Sequence, residues 1–304
     1  MTLGSDTRAL LDRAGLDEDV IRRQVQGALD EDLACGPDIT SQATVPADQR
    51  VRARFASRRA GVLSGVPVAA VTLDLVVGAG RWTLLHSGDD GDRLGAGEAA
   101  LEVEAPTREL LTAERTALNF LCRMSGVATL TAQWVAAVEG TGVLVRDTRK
   151  TMPGLRVLDK YAVRCGGGVN HRMGLGDAAL IKDNHVLSAG GVSEAIAAVR
   201  SLNSAISLEV ECDSLDQAMA AVAADVSLIL LDNMSVDQLR EVVSVVRATS
   251  DQVVLEASGG LTLESVGTVA ATGIDYVAVG ELTHSAPALD LGLDVTAVLD
   301  KVIR

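Results

Sequence analysis

The chain has 304 residues, 48% of them apolar and only 2% aromatic, so Ala, Val, Leu and Ile must fill its core, as is usual in parallel α/β sheets. Its formal net charge of −14 argues against nucleic acid or an anionic membrane as its main partner. No apolar run reaches the roughly 20 residues of a membrane span, the N-terminus lacks a signal-peptide pattern, and we expect a cytoplasmic protein.

The N-terminal part of the chain mixes helical and β-prone patterns. Residues 17–33 have the apolar spacing of an amphipathic helix, and residues 66–77 form an apolar helical segment. Short β-prone runs surround the second helix, namely VRARFAS, GVLSG, RWTLLHS and AALEVEA. We therefore expect a small α+β domain over residues 1–115.

A long helical pattern follows over residues 107–138, and Ser125-Gly126 predicts a break in it. Beyond Gly140 short apolar runs alternate with helical segments, in the order GVLVRD, AALIKD, ISLEVE, VSLILLD, QVVLEAS and DYVAVGE. This rhythm predicts βα units with parallel strands and right-handed crossovers. We expect an α/β barrel of six or seven parallel strands over residues 116–288, either closed or incompletely closed, with an open doubly wound sheet as the alternative. The last segment, about 289–304, is expected to return to the first domain.

Each of the six predicted barrel strands ends in polar or charged residues. These ends are Asp147-Thr148-Arg149-Lys150, Lys182-Asp183-Asn184-His185, Glu211, Asp232-Asn233, Glu256 with Ser258-Gly259-Gly260, and Gly280-Glu281. The carboxyl ends of parallel strands meet on one face, which holds the active site in such folds. The sequence therefore predicts one site built from all six ends.

The charges in this region indicate an anionic ligand. Residues 115–182 hold ten Lys/Arg and four Asp/Glu, a balance of +6, whereas the remainder of the chain carries −20. Arg149, Lys150 and Arg172 offer donors for carboxylate or phosphate. Glu211 and Asp232 are oxygen ligands of the kind that Mg²⁺ takes.

Two glycine-rich strand ends could bind a phosphate. Ser258-Gly259-Gly260 and Val279-Gly280 each precede a predicted helix, where backbone N–H groups bind anions. His171 stands beside Arg172 in a loop that follows three glycines, so a binding role is favoured over a structural one. The four cysteines lie far apart without a CxxC pair, so reduced thiols are expected and a disulfide framework or zinc site is not.

Several blocks of the sequence resemble the quinolinate phosphoribosyltransferase family, also called nicotinate-nucleotide pyrophosphorylase (carboxylating). They are EDLACGPDITS, ERTALNFLCRMSG, DTRKTMPGLR, NHRMGLGDAALIKDNH, LEVEC, LLDNM and LEASGG, in the order expected and over nearly the whole chain. One departure is Pro37 before Asp38, where the family usually has Gly-Asp directly.

The resemblance implies an enzyme of NAD biosynthesis that joins quinolinate to phosphoribosyl pyrophosphate with Mg²⁺. The products are nicotinate mononucleotide, pyrophosphate and CO₂. It implies a homodimer, or a higher even-numbered homo-oligomer, in which Arg115 reaches the partner's site. By the same resemblance, the quinolinate carboxylates are surrounded by Arg115, Arg149, His171, Arg172 and Lys182. Lys150 faces phosphoribosyl pyrophosphate, and Glu211 and Asp232 face its ribose and the metal. The 5′-phosphate is bound by Ser258, Gly259, Gly280 and His284.

Three alternatives remain open at this stage. A Schiff-base lyase could use Lys182 at its strand end, and a related phosphoribosyltransferase could take another aromatic acid. A carrier module is suggested by GDRLGAGEAALEVEAPTREL, which resembles a biotinyl-type hairpin but has Glu104-Ala105-Pro106 where such modules carry a lysine.

Overall fold

The structure, a computed structural model, describes residues 2–299. Its helices are α1 Ser5–Ala14, α2 Glu18–Asp32, α3 Ile39–Thr44, α4 Val66–Val76, α5 Thr107–Ala137, α6 Arg156–Cys165, α7 Asp183–Ala189, α8 Val192–Leu202, α9 Leu215–Ala223, α10 Val236–Thr249, α11 Val266–Ala270 and α12 Glu281–His284. Its strands are β1 Arg50–Ser57, β2 Gly61–Val62, β3 Thr83–Ser87, β4 Arg93–Leu94, β5 Ala99–Pro106, β6 Leu144–Arg146, β7 Ala179–Ile181, β8 Leu208–Cys212, β9 Leu228–Asp232, β10 Val254–Ser258, β11 Tyr276–Ala278 and β12 Leu291–Leu299.

The described chain divides into two compact units. The first holds residues 2–130, 153–166 and 286–299, and the second holds residues 131–152 and 167–285. The predicted boundary between residues 115 and 116 falls inside α5, most of which belongs to the first unit. No helix of the described residues is long and apolar enough to cross a membrane.

The first unit is built on an antiparallel sheet with the strand order β12-β1-β5-β3. Along β1, Val51, Ala53 and Phe55 are buried, whereas Arg52 between them is exposed and pairs with Glu104 on β5 at 2.6 Å. This alternation places one face of the sheet on the core and the other toward solvent. The final strand β12 pairs with β1, so the end of the described chain returns to the first unit, and residues 300–304 of the predicted segment lie outside the described residues.

The predicted helix over residues 17–33 is confirmed as α2. The Asp17 side chain accepts a hydrogen bond from the Val20 N–H and caps the helix. Ile21, Val25 and Leu29 recur every fourth residue and are all buried. The biotinyl-type hairpin is not formed, because β4 pairs with β2 and β5 pairs with β1 and β3.

The predicted break at Ser125-Gly126 is wrong, since α5 continues through both residues. Ser125 is buried, and its hydroxyl accepts from the Ser64 N–H and donates to the Ser64 carbonyl. A Cβ placed on Gly126 would lie 2.1 Å from the Pro287 carbonyl oxygen. The glycine is therefore needed for a close approach between two backbones, and the helix does not end there.

We expect Gly126→Ala to lower the free energy of unfolding by about 1–3 kcal/mol, because the added methyl group must push backbone atoms apart. Gly27→Ala is the matched control. Gly27 is an exposed residue of α2, and no described atom outside its own helix backbone lies within 4 Å of an added Cβ. This change is therefore expected to stabilise by up to about 1 kcal/mol. Urea unfolding of both variants measures the difference, and equal effects would contradict the packing argument.

The second unit is the predicted α/β barrel domain, with six parallel strands in the order β6-β11-β10-β9-β8-β7. An isolated parallel bridge joins Arg146 of β6 to Val169 on the outer side of the sheet. All six predicted strands are present, and helices of the same unit follow β7, β8, β9, β10 and β11. The carboxyl ends of the strands consequently lie together at one face, which is where the polar residues were predicted to meet.

Candidate active site

A cavity of about 560 Å³ lies at the carboxyl ends of the barrel strands, within the second unit. It is lined by Thr148, Arg149, Lys150, His171, Arg172, Leu180, Lys182, Glu211, Leu230, Asp232, Asn233, Glu256, Ser258, Gly259, Gly260 and Ala278. Five of the six predicted strand ends contribute to it. The structure therefore brings the predicted cations and carboxylates into one cavity.

Arg149 and Arg172 make the cationic side of this cavity. Burial, and then the positive charge of Arg149, hold the pKa of Arg172 below its usual value. Arg172 donates from Nη1 to the Ala178 carbonyl at 2.8 Å. Within the described part of the chain, the buried Nε atoms of both arginines have no hydrogen-bond partner. Two crowded guanidinium groups with unused donors are suited to binding an anion.

The carboxylate side consists of Glu211 on β8 and Asp232 at the end of β9, both half-buried. Burial, and then the charge of Glu211, raise the pKa of Asp232, whereas Lys182 and Lys150 act in the opposite direction. Lys182 Nζ lies 2.5 Å from Glu211 Oε2. A divalent cation would relieve the repulsion between these two acids, and carboxylate oxygens are its preferred ligands.

The glycine-rich end of β10 is shaped by its neighbour. Asn233, with a φ of 54°, donates its backbone N–H to the Ser258 carbonyl. A Cβ on Gly259 would lie 2.2 Å from Asn233 Oδ1, and the φ of Gly259 is 87°, so only glycine fits there. The expected helix N-terminus at this place is wrong, because α11 begins only at Val266.

Gly280 and His284 do not line the cavity, although they lie beside one of its residues. A Cβ on Gly280 would be 2.8 Å from Lys150 Cδ and 3.4 Å from the His284 ring. Thr283 donates its hydroxyl to the Lys150 carbonyl at 2.8 Å. Gly280 thus leaves room for the Lys150 side chain, and the four-residue helix α12 helps to hold its backbone.

Arg115 belongs to the first unit, whereas the cavity lies within the second. It lies on α5 in the first unit, its side chain is exposed, and it does not line the cavity. Its expected role, as a residue given to a partner's site, stays a prediction.

At the floor of the cavity lies a cluster of mostly buried charged residues, which we call the floor cluster: Arg146, His171, Glu209 and Glu256. His171 and Glu256 line the cavity and were predicted, whereas Arg146 and Glu209 were not predicted as site residues. Arg146 Nη1 pairs with Glu256 Oε2 at 2.6 Å, and His171 Nε2 lies 2.8 Å from Glu209 Oε2. One sequence signal was available. Glu209 precedes Glu211 by two residues on a strand, so both point to the same side of the sheet.

Comparison with known proteins agrees with this geometry. Residues 38–125 match the model of the N-terminal domain of quinolinate phosphoribosyl transferase, and residues 127–294 match that of its C-terminal domain. The chain is 53% identical to the nicotinate-nucleotide pyrophosphorylase [carboxylating] of Mycobacterium leprae, over 91% of this chain and 98% of that protein. A probable enzyme of the same name from Bacillus subtilis is 39% identical, over 88% and 90% of the two chains.

Solved structures give the same result. The nicotinate-nucleotide pyrophosphorylase of Francisella tularensis superimposes with a TM-score of 0.85 at 36% identity, covering 92% of this chain and 98% of that one. The two family models together cover most of the chain, and the relatives match along nearly their whole length. The chain belongs to the quinolinate phosphoribosyl transferase family.

Proposed function

We propose that this chain transfers the phosphoribosyl group of phosphoribosyl pyrophosphate to quinolinate and releases CO₂, giving nicotinate mononucleotide and pyrophosphate. The observation that carries this proposal is the cavity, with two arginine Nε donors that have no partner among residues 2–299 on one side and two carboxylates on the other. An aromatic dicarboxylate fits the first side, and a metal-bound pyrophosphate fits the second. The printed name of the M. leprae relative supports the same reaction.

The cationic side binds quinolinate in this proposal. Arg149 and Arg172 bind the two carboxylates, with Lys182 at the edge of the same cavity. A planar guanidinium can bind a carboxylate through two hydrogen bonds, which fixes the plane of the pyridine ring as well as its position. Positioned reactants can gain about 7–11 kcal/mol over reactants that meet in solution. Holding the ring nitrogen next to the anomeric carbon is therefore a large part of catalysis.

Displacement of pyrophosphate makes the ribose more positive and the leaving group more negative. Glu211 and Asp232 face the ribose in this proposal and stabilise its positive charge, whereas Lys150 neutralises the leaving pyrophosphate. Once the ring nitrogen carries the ribose it is cationic, so loss of the neighbouring carboxylate as CO₂ leaves a stabilised carbanion. A proton then completes nicotinate mononucleotide.

Mg²⁺ is the metal that we propose for this site. Glu211 and Asp232 fit it, because they offer oxygen ligands in one cavity and because the charge of Glu211 raises the pKa of Asp232. When bound, Mg²⁺ would neutralise charge on the pyrophosphate. Ser258 and Gly259 line the cavity and are proposed to bind the 5′-phosphate, and Gly280 and His284, near Lys150, are proposed as further contacts.

An assay with pyridine acids tests the proposal. With phosphoribosyl pyrophosphate and Mg²⁺, we expect quinolinate to give nicotinate mononucleotide, pyrophosphate and CO₂, and we expect a chelator to stop the reaction. Nicotinate in place of quinolinate is the control and should give no product. Turnover of nicotinate would overturn the choice of substrate, and full turnover after chelation would overturn the metal. We propose the cytoplasm as the compartment, and four unpaired cysteines are in keeping with it.

We also propose that the enzyme is a homodimer, or a higher even-numbered oligomer, in which Arg115 binds quinolinate in the partner's site. The exposed position of Arg115, on the unit that does not contain the cavity, supports this proposal. Arg115→Ala and Lys150→Ala are each expected to be nearly inactive. Subunits of the two variants, refolded together, should regain activity because one site of each mixed dimer is intact. A mixture as inactive as its components would contradict the shared site.

A further inference from the structure

The loop that carries Arg172 is held by side chains. Val169 makes the last sheet-type contact before this loop, so the following backbone N–H groups need other partners. The His171 N–H donates to Asp147 Oδ1 at 2.8 Å, and the Arg172 N–H donates to His171 Nδ1 at 2.7 Å. Asp147 is fully buried and also accepts from Asn170 Nδ2 at 2.5 Å. The backbone before Arg172 is thus fixed by Asp147 and by the His171 ring.

These contacts assign the tautomer of His171. A backbone N–H can only donate, so the Nδ1 atom that it meets must be an acceptor and carries no proton. The proton of the ring is then on Nε2, which lies 2.8 Å from Glu209 Oε2. Protonation of Nδ1 would put two donors 2.7 Å apart. His171 is consequently a neutral ring with one nitrogen on the Arg172 backbone and the other on a carboxylate that is 96% buried.

We infer that Glu209 is a positioning residue, which acts through the Nε2–H tautomer of His171 to set the place of Arg172 for one carboxylate of the substrate. This inference rests on the proposed function only for the identity of that substrate. Glu209 does not line the cavity, so its effect on a ligand must pass through the ring that it holds. In this arrangement His171 adds no positive charge to the cavity, and the charge is supplied by the arginines and lysines.

Glu256 provides a matched comparison within the floor cluster. It is as buried as Glu209, although it lines the cavity and Glu209 does not. Its Oε2 pairs with Arg146, and its Oε1 lies 3.9 Å from His171 Nε2, beyond hydrogen-bond distance. Glu256→Gln therefore changes a buried glutamate of the same cluster without removing the acceptor that holds the ring. The state of the His171 ring in this variant therefore separates loss of a nearby charge from loss of the hydrogen bond to His171.

The test compares Glu209→Leu, which removes the acceptor, with Glu209→Gln, which keeps an acceptor oxygen. Because a buried donor without a partner is costly, we expect Glu209→Leu to weaken binding of benzene-1,2-dicarboxylate, measured by calorimetry, by about tenfold or more. The KM for quinolinate should rise by a similar factor and the KM for phosphoribosyl pyrophosphate by much less. Glu209→Gln should restore most of the affinity. Equal rises in both KM values, or unchanged binding of the dicarboxylate, would overturn the inference.

A second measurement is decided on the wild-type enzyme, whatever the stability of the variants. Nitrogen-15 NMR of the wild-type enzyme should show His171 with an unprotonated Nδ1 and a protonated Nε2, and the same pattern in Glu256→Gln. A proton on Nδ1 in the wild-type enzyme would overturn the inference. Dicarboxylate binding and the NMR signals do not depend on turnover. If quinolinate is not a substrate but both results are as expected, the proposed function fails and the role of Glu209 stands.

Discussion

Arg149→Ala is expected to lower kcat/KM for quinolinate by about 30-fold to several thousandfold, which corresponds to the 2–5 kcal/mol typical of a broken buried charge pair. Arg149 is half-buried in the cavity, and its buried Nε has no partner in the described chain. Its hydrogen-bonding capacity is therefore available to a ligand. Without it, one carboxylate of the substrate would be desolvated without compensation.

The reduction should fall on the dicarboxylate substrate, because Arg149 and Arg172 are placed together. Steady-state kinetics with each substrate varied in turn would show a raised KM for quinolinate and a smaller change for phosphoribosyl pyrophosphate. Arg149→Lys keeps the charge but loses the paired donors, so it is expected to recover only part of the activity. Arg240→Ala is the control, since Arg240 is an exposed residue of α10 that pairs with Asp237. An Arg149→Ala enzyme with wild-type kinetics would exclude the proposed carboxylate site.

The barrel strands could be predicted from sequence because each is a short apolar run that ends in polar residues. Glu211, Asp232 and Lys182 meet at the carboxyl end of the sheet because the strands are parallel, whatever the order of the strands. This inference does not require any distance between side chains to be known. The strand ends that meet in the cavity were therefore predictable, whereas the exclusion of Gly280 and His284 from its lining was not.

Features that depend on contacts between distant residues were not predictable. Gly126 was predicted to break the helix from its residue type alone. Its contact with Pro287, which explains the glycine, could not be predicted because the two residues are 161 positions apart in the chain. The pairing of Arg146 with Glu256 requires β11 to separate β6 from β10, an order that local patterns do not specify. In both cases the sequence identifies the residue, but only the fold shows which distant residue it contacts.

The pairs of the floor cluster were missed for a related reason. Glu256 was predicted as a polar strand end and Arg146 was left out of the site, because a charge near a strand end is most often in solvent. Only the fold shows that Glu256 is fully buried and Arg146 half-buried. Because the pair is buried, each charge must be neutralised, either by an oppositely charged partner or by a change in protonation.

Glu256→Gln is expected to remove a pH dependence from the stability of the protein. Burial, the largest cause, and the charge of Glu209 raise the pKa of Glu256 from its ordinary value of 4.5 to about 7, although the charge of Arg146 and its hydrogen bond act to lower it. Between these two pH values the folded protein keeps a proton that the unfolded chain has lost. The stabilisation is therefore complete below pH 4.5 and is lost as the pH rises through about 7.

The expected size of this loss is up to about 3 kcal/mol, since one pKa unit corresponds to about 1.4 kcal/mol. Urea unfolding of the wild type and of Glu256→Gln, at several pH values from 5 to 8, gives the difference between them. The free energy of unfolding of Glu256→Gln, relative to that of the wild type, should increase as the pH rises. Glutamine still offers Arg146 an acceptor oxygen, and it cannot ionise.

Glu264→Gln is the control for this experiment, because Glu264 is exposed and hydrogen bonds from its own backbone N–H and from Thr262 lower its pKa. Its stability difference from wild type should have the opposite pH dependence or none. A wild-type curve parallel to that of Glu256→Gln would mean that Glu256 is ionised throughout. Arg146 alone would then balance the two buried glutamates while His171 stays neutral, and the floor cluster would carry a net negative charge beneath the substrate.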